Sequence, residues 1–210
     1  MKRLQKLNWL LALLIICANV KPALAQIPQN EDITWLGMDF SAAKFIGSAT
    51  QFKDAGEITN SDFRDKSIPA WNQLFINEQK KYNVAEAVRR TQVNYATDIT
   101  EKANSKINTD FFSNNPSDYG TLTAEKVAGM VKRYDFNGKS GVGLIFFIDG
   151  MSKGKDEASA WIAFVDMNSK KVLFSAHETG KSGGFGFRNY WAKSFYNILG
   201  KVKAEVKKNK

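Results

Sequence analysis

Residues 175–182, Ser-Ala-His-Glu-Thr-Gly-Lys-Ser, come within one position of the phosphate-binding pattern G-x-x-x-x-G-K-[ST]. That pattern needs a first glycine so the backbone can wrap the phosphates, and a helix opening at the Lys-Ser to aim its amides at the anion. Here Ser175 holds the first position, and Gly183, Gly184 and Gly186 disfavour a helix directly after Ser182. The stretch therefore reads as a glycine-rich connection from a strand into the last helix. His177 is the chain's one imidazole, so a Ser-His-Asp triad would have to join it to Ser175 or Ser182 and to Asp149 or Asp166. No serine sits in a G-x-S-x-G elbow, and a lone histidine at a strand end reads as structural or solvated. Paired carboxylates for glycoside cleavage could come from Asp149, Asp156, Glu157, Asp166 and Glu178. Hairpin turns account for Asp149 and Asp166, and surface charge for the others. One His and one Cys exclude a His-rich metal centre, and the Asp-x-[DN]-x-[DN]-Gly calcium loop is absent. No catalytic residue, metal ligand or cofactor is assigned.

Thr179 to Asn189 (TGKSGGFGFRN) still has what a binding surface uses. Lys181 and Arg188 supply charge, the glycines leave backbone amides open, and Phe185 and Phe187 can stack. With His177 just upstream, these five residues are the candidate ligand-binding set, and the neighbouring hairpin end Asp166–Lys171 extends the surface. The alternative is that the two phenylalanines lid the sheet. The lysines of the last ten residues (Lys201, Lys203, Lys207, Lys208, Lys210) could touch anionic lipid. They equally suit the negative pole of a helix end.

These residues must be carried by a folded and addressed chain. Residues 1–25 read as a secretory signal: Lys2, Arg3 and Lys6, an apolar run from Leu7 to Val20, then Ala23-Leu24-Ala25. The run is shorter than the roughly 20 residues of a membrane span, and the residues before Cys17 make a poor lipidation site. Cleavage after Ala25 is expected, with a periplasmic or secreted location and no transmembrane span afterwards. It removes four cations and no acid, lowering the net charge from +9 to +5, and leaves no thiol, which suits an oxidising compartment. The nucleic-acid reading loses its charge and its location together. The composition, 43% hydrophobic and 12% aromatic, is that of a globular chain.

Within the mature chain, 26–32 reads as a polar leader, 33–206 as one domain and 207–210 as a basic tail. Ile33–Phe40 reads as the first strand. Ser67 is expected to cap a helix with Pro69 in its first turn, and Asn83 a second, Val84–Arg90. Thr91–Ile99 alternates as a strand does, and Asn104–Tyr119 is irregular. Thr123 starts a helix bearing Val127, Met130, Val131 and Tyr134. Val142–Ile148, Ala158–Val165 and Lys171–His177 read as consecutive antiparallel strands, and Asn189 to about Lys207 as a closing amphipathic helix. The expected order is β-α-α-β-α-β-β-β-α. The expected class is α+β, with a mixed, largely antiparallel sheet and helices packed against it.

The hairpin Phe164-Val165-Asp166-Met167-Asn168-Ser169-Lys170-Lys171-Val172-Leu173, with the helix and strand order before it and the closing helix, resembles periplasmic α/β domains of the CsgG, TolB amino-terminal and LpoB type. The segment Gly184-Phe-Gly-Phe-Arg-Asn-Tyr-Trp191 is similar to uncharacterised secreted proteins of Bacteroidetes-type bacteria. The resemblance implies envelope assembly or protein binding without catalysis. The function expected is therefore an exported, non-enzymatic binding or envelope-assembly module whose partner is an envelope protein or a cell-wall or surface polymer. Two alternatives stand beside it: a secreted hydrolase using the strand-end carboxylates or His177, and an anion or polysaccharide binder.

Overall fold

The computed structural model describes residue 27 and residues 31–47 and 56–209. The expected signal, with Cys17 and the cleavage point, lies outside the described residues. Ile27, in the expected polar leader, is buried in the main core.

Among the described residues, seven strands form one sheet. They are β1 (Ile33–Asp39), β2 (Phe45–Ile46), β3 (Asn94–Tyr95), β4 (Phe112–Ser113), β5 (Val142–Ser152), β6 (Glu157–Asp166) and β7 (Lys171–Lys181). The charge-free run of β5 is buried along its whole length, as a central strand requires. Its one edge pairs with β6 from Val142 to Ser152. Its other edge therefore takes both β1, at Val142–Phe147, and β2, at Met151–Ser152, and both run parallel to it. β3 adds parallel to β1 and β4 parallel to β2.

The expected α+β class with a largely antiparallel sheet is thus corrected. The five strands β3-β1-β5-β2-β4 are mutually parallel, and the protein is an α/β fold. The β5-β6-β7 hairpins are antiparallel, as their polar turns suggest, but they extend a parallel sheet. The reason is chain economy. About a hundred residues, with three two-residue strands among the helices and loops, separate β1 from β5, enough for a crossover that returns the chain in the same direction.

Helices cover both faces. One core lies under α2 (Ile68–Asn77), α3 (Val84–Ala87) and α6 (Phe187–Lys208), where Trp71, Phe75, Tyr82, Trp191 and Phe195 meet Trp35, Phe40 and Phe146. Phe40 stacks on Trp71 and meets Phe195 edge-on, an arrangement the ring quadrupoles favour. The second, smaller core lies under α4 (Asp98–Asn104) and α5 (Ala124–Arg133), where Val127, Val131 and Ile99 meet Leu36, Ile145 and Phe147. α6 sits so close to β7 that a Cβ on Gly180 would lie 2.1 Å from the Ser194 carbonyl oxygen.

Three local expectations change. Ser67 makes no capping bond, because the helix begins earlier: Thr59 caps α1 (Asn60–Asp62), which runs through a π-helical turn (Phe63–Ser67) into α2. Thr91–Ile99 is a strand only at β3, since the chain turns into α4 at Asp98. β7 continues to Lys181, so Gly180-Lys181 lies in a strand and not in a phosphate-wrapping loop. Thr123 and Asn83 do cap their helices, by accepting from the Lys126 and Glu86 amides.

Candidate functional site

In open α/β sheets, ligands lie beyond the carboxyl ends of the parallel strands. β1 ends there in Asp39. A bulge between Trp35 and Gly37 turns Trp35 and Met38 to the larger core and Asp39 to the α4–α5 side. The Asp39 carboxylate is buried. One oxygen accepts from the Ser41 amide at 2.6 Å and the Ser41 hydroxyl at 2.5 Å, and the other from the Tyr134 hydroxyl. Burial, and then the Asp39 charge, push the Tyr134 phenol well above its ordinary value, so it keeps its proton and donates.

β1 is held by side chains where no strand flanks it. β3 ends at Tyr95, and beyond it the backbone groups of β1 pair with polar side chains. Thr100 donates to the Leu36 carbonyl, and Asn72 both accepts from the Met38 amide and donates to its carbonyl. Asn104 donates to the Met38 carbonyl and accepts from the Phe40 amide, both at 2.8 Å. The two amides act as a substitute strand.

A cleft of about 420 Å³ opens over this strand end, lined by Asp39, Ser41, Ile99, Met130 and Tyr134 among others, with Lys102, Lys106 and Arg133 also on its walls. Lys102 is taken by Asp135 at 3.1 Å. Lys106 and Arg133 are exposed. The cleft thus offers a fixed acceptor at its floor, apolar walls and cations at its rim, which suits a small anion that also carries hydroxyls.

A second polar cluster lies on the same sheet face, at the bulge in β5. Asp149 is buried there, accepting from the Ser159 hydroxyl at 2.6 Å and facing His177 Nε2 at 3.1 Å. Gly120 lies above it, and the Tyr119 hydroxyl donates to Glu157. His177, with 35% of its side chain exposed, also lies against Trp161. The Ser159 hydrogen goes to Asp149, so this is an Asp-His pair with a serine on the aspartate side. Of the hydroxyls considered from the sequence, that of Ser182 is buried without a hydrogen-bond partner and Ser175 lies opposite Ala163 on β6, so neither is bonded to the histidine. Among the described residues, no three His, Cys, Asp or Glu side chains gather to hold a metal.

The hydrogen bond to Asp149 outweighs burial and raises the His177 pKa above its ordinary 6.5. A raised folded value means the contact stabilises fully below about pH 6.5 and loses that contribution as pH rises through the folded value. His177→Gln is therefore expected to flatten the fall in melting temperature above about pH 6.5. Equal slopes for variant and parent would show that the pair contributes nothing.

The residues expected to bind are divided by the structure. His177 and Lys181 point away from α6, where Lys181 pairs with Glu157 at 3.1 Å. Phe187 is buried on the other face against Phe45, Phe63 and Trp71. Arg188 is exposed, and its backbone carbonyl accepts from the Trp71 indole. Phe185 is 90% exposed. Asp39, Lys106, Arg133 and Tyr134 were not among the sequence candidates. The available signal was the acid at the end of the first strand, Asp39-Phe40-Ser41.

The fold and cleft define an α/β domain with a strand-end polar cleft. Compared with known proteins, the chain matches no family model and no curated protein sequence.

Proposed function

We propose that this chain is an exported, non-enzymatic binding module whose ligand is a small hydroxylated anion with the chemistry of an acidic sugar. The observation that carries this reading is the buried Asp39 carboxylate, fixed by Ser41 and Tyr134 at the floor of a cleft with Lys106 and Arg133 on its walls. Asp39 would orient a ligand hydroxyl, and the cations would take the carboxylate. A polymer of acidic sugars would present the same chemistry at its end, in line with the surface-polymer partner expected from the sequence. Export rests on residues 1–25, and the resemblance to periplasmic α/β domains points the same way. Among the described residues, no helix is long and apolar enough to cross a membrane.

Calorimetric titration with glucuronate tests the cleft. Glucuronate is expected to bind more tightly than glucose, and Arg133→Ala or Lys106→Ala to weaken it roughly three- to tenfold, as for a partly solvated charged contact. Equal affinity for glucose and glucuronate, or no effect of either substitution, would overturn the assignment. Amino-terminal sequencing of the native protein checks export, with Gln26 as the expected first residue.

A further inference from the structure

Phe185 is a large apolar side chain held out from the protein at 90% exposure, and its surroundings are built to hold it there. It stands between Gly184 and Gly186, whose φ angles of 104° and 82° are ones that L side chains rarely adopt. The loop is fastened on both sides. The Ser182 amide donates to the Asp156 carbonyl in the β5–β6 turn, and the Gly183 amide to the Tyr190 carbonyl in α6. The Tyr190 hydroxyl bonds to Asp156, and Lys153 reaches both. The tip is therefore a braced projection alongside the β5–β6 turn.

The charge around it is net positive. Residues 152–157 and 181–189, which form the turn and the loop, carry Lys153, Lys155, Lys181 and Arg188 against Asp156 and Glu157. Lys153 pairs with Asp156 and Lys181 with Glu157, so the excess is carried by the exposed Lys155 and Arg188. An aromatic tip set among an excess of cations matches a surface of anionic headgroups over hydrocarbon, where the ring enters the acyl boundary and the cations meet the phosphates. An apolar pocket on a protein partner would take the ring without requiring that excess.

We infer that the β5–β6 turn and the Gly183–Arg188 loop form a membrane-surface contact in which Phe185 inserts among anionic lipid headgroups. This surface is separate from the Asp39 cleft, so either assignment can fail alone. The test uses vesicles of phosphatidylcholine with and without phosphatidylglycerol, their acyl chains brominated as a quencher. Phe185→Trp places a reporter at the tip. Its emission is expected to be quenched beyond that of the parent protein, and only on the vesicles containing phosphatidylglycerol. Phe185→Ala, whose lost side chain makes no core contact, is expected to weaken binding to those vesicles about fivefold. Lys155→Glu with Arg188→Glu should weaken it further, and salt should do the same. Quenching no greater than in the parent, or Phe185→Ala binding as well as the parent, would overturn the inference and leave a protein partner as the occupant of the tip.

Discussion

Gly37→Ala is expected to destabilise the protein by about 3 kcal/mol or more, through two separable costs. Gly37 has φ of 98°, where an alanine is strained by about 1–3 kcal/mol. Its new Cβ would also lie 2.4 Å from the Thr100 hydroxyl and 2.9 Å from the Asn72 amide oxygen. Neither neighbour can step aside freely, since Thr100 bonds the Leu36 carbonyl and Asn72 the Met38 amide. Overpacking of this kind costs about 1–3 kcal/mol more. Urea unfolding measures the sum. Adding Thr100→Ala should recover part of the overlap cost and none of the φ strain, so the cycle separates the two. An unchanged unfolding midpoint in Gly37→Ala would show that β1 does not bend as described.

Asn104→Leu is expected to cost about 2–4 kcal/mol, although leucine has similar bulk and is apolar. The Phe40 amide would lose the Asn104 oxygen as its partner, and a buried donor left unpaired costs about 1–3 kcal/mol. The Met38 carbonyl would fare better, because Asn72 still donates to it at 3.1 Å. The two ends of one side chain therefore carry unequal costs, and hydrogen exchange can resolve them. The Phe40 amide should exchange much faster in the variant, and the Met38 amide should keep its protection. Equal stability of variant and parent would mean that water or a shifted strand replaces Asn104. Because Phe40 directly follows Asp39, the same variant should also weaken glucuronate, whereas Asn72→Ala should lower stability with less effect on the ligand.

The elements most legible in the sequence were those whose signal is local. The closing helix declared itself by Trp191, Phe195, Ile198, Leu199, Val202 and Val206 on one stripe, and all six are buried. The turn at Asp166–Lys170 joined β6 to β7, with Asp166 accepting from the Asn168 and Ser169 amides. Each of these features depends on residues within a few positions of one another.

The parallel class was not legible, because it rests on pairs such as Ile33 with Val142, which no spacing announces. β2 and β4 are two residues each, too short for alternation to show. The cleft draws Asp39, Lys106, Arg133 and Tyr134 from separate segments that meet only when α4 and α5 cover one sheet face. Contiguity pulled the other way. His177, Lys181 and Phe187 looked like neighbours, but strand alternation and the entry into α6 send the first two to one face and the third to the opposite core. Amino-acid order by itself determined which segments are apolar, which turn and which carry charge. Only the tertiary structure decided which strands run together and which polar groups share a cleft, since those contacts depend on the path of the intervening hundred residues and not on the residues that touch.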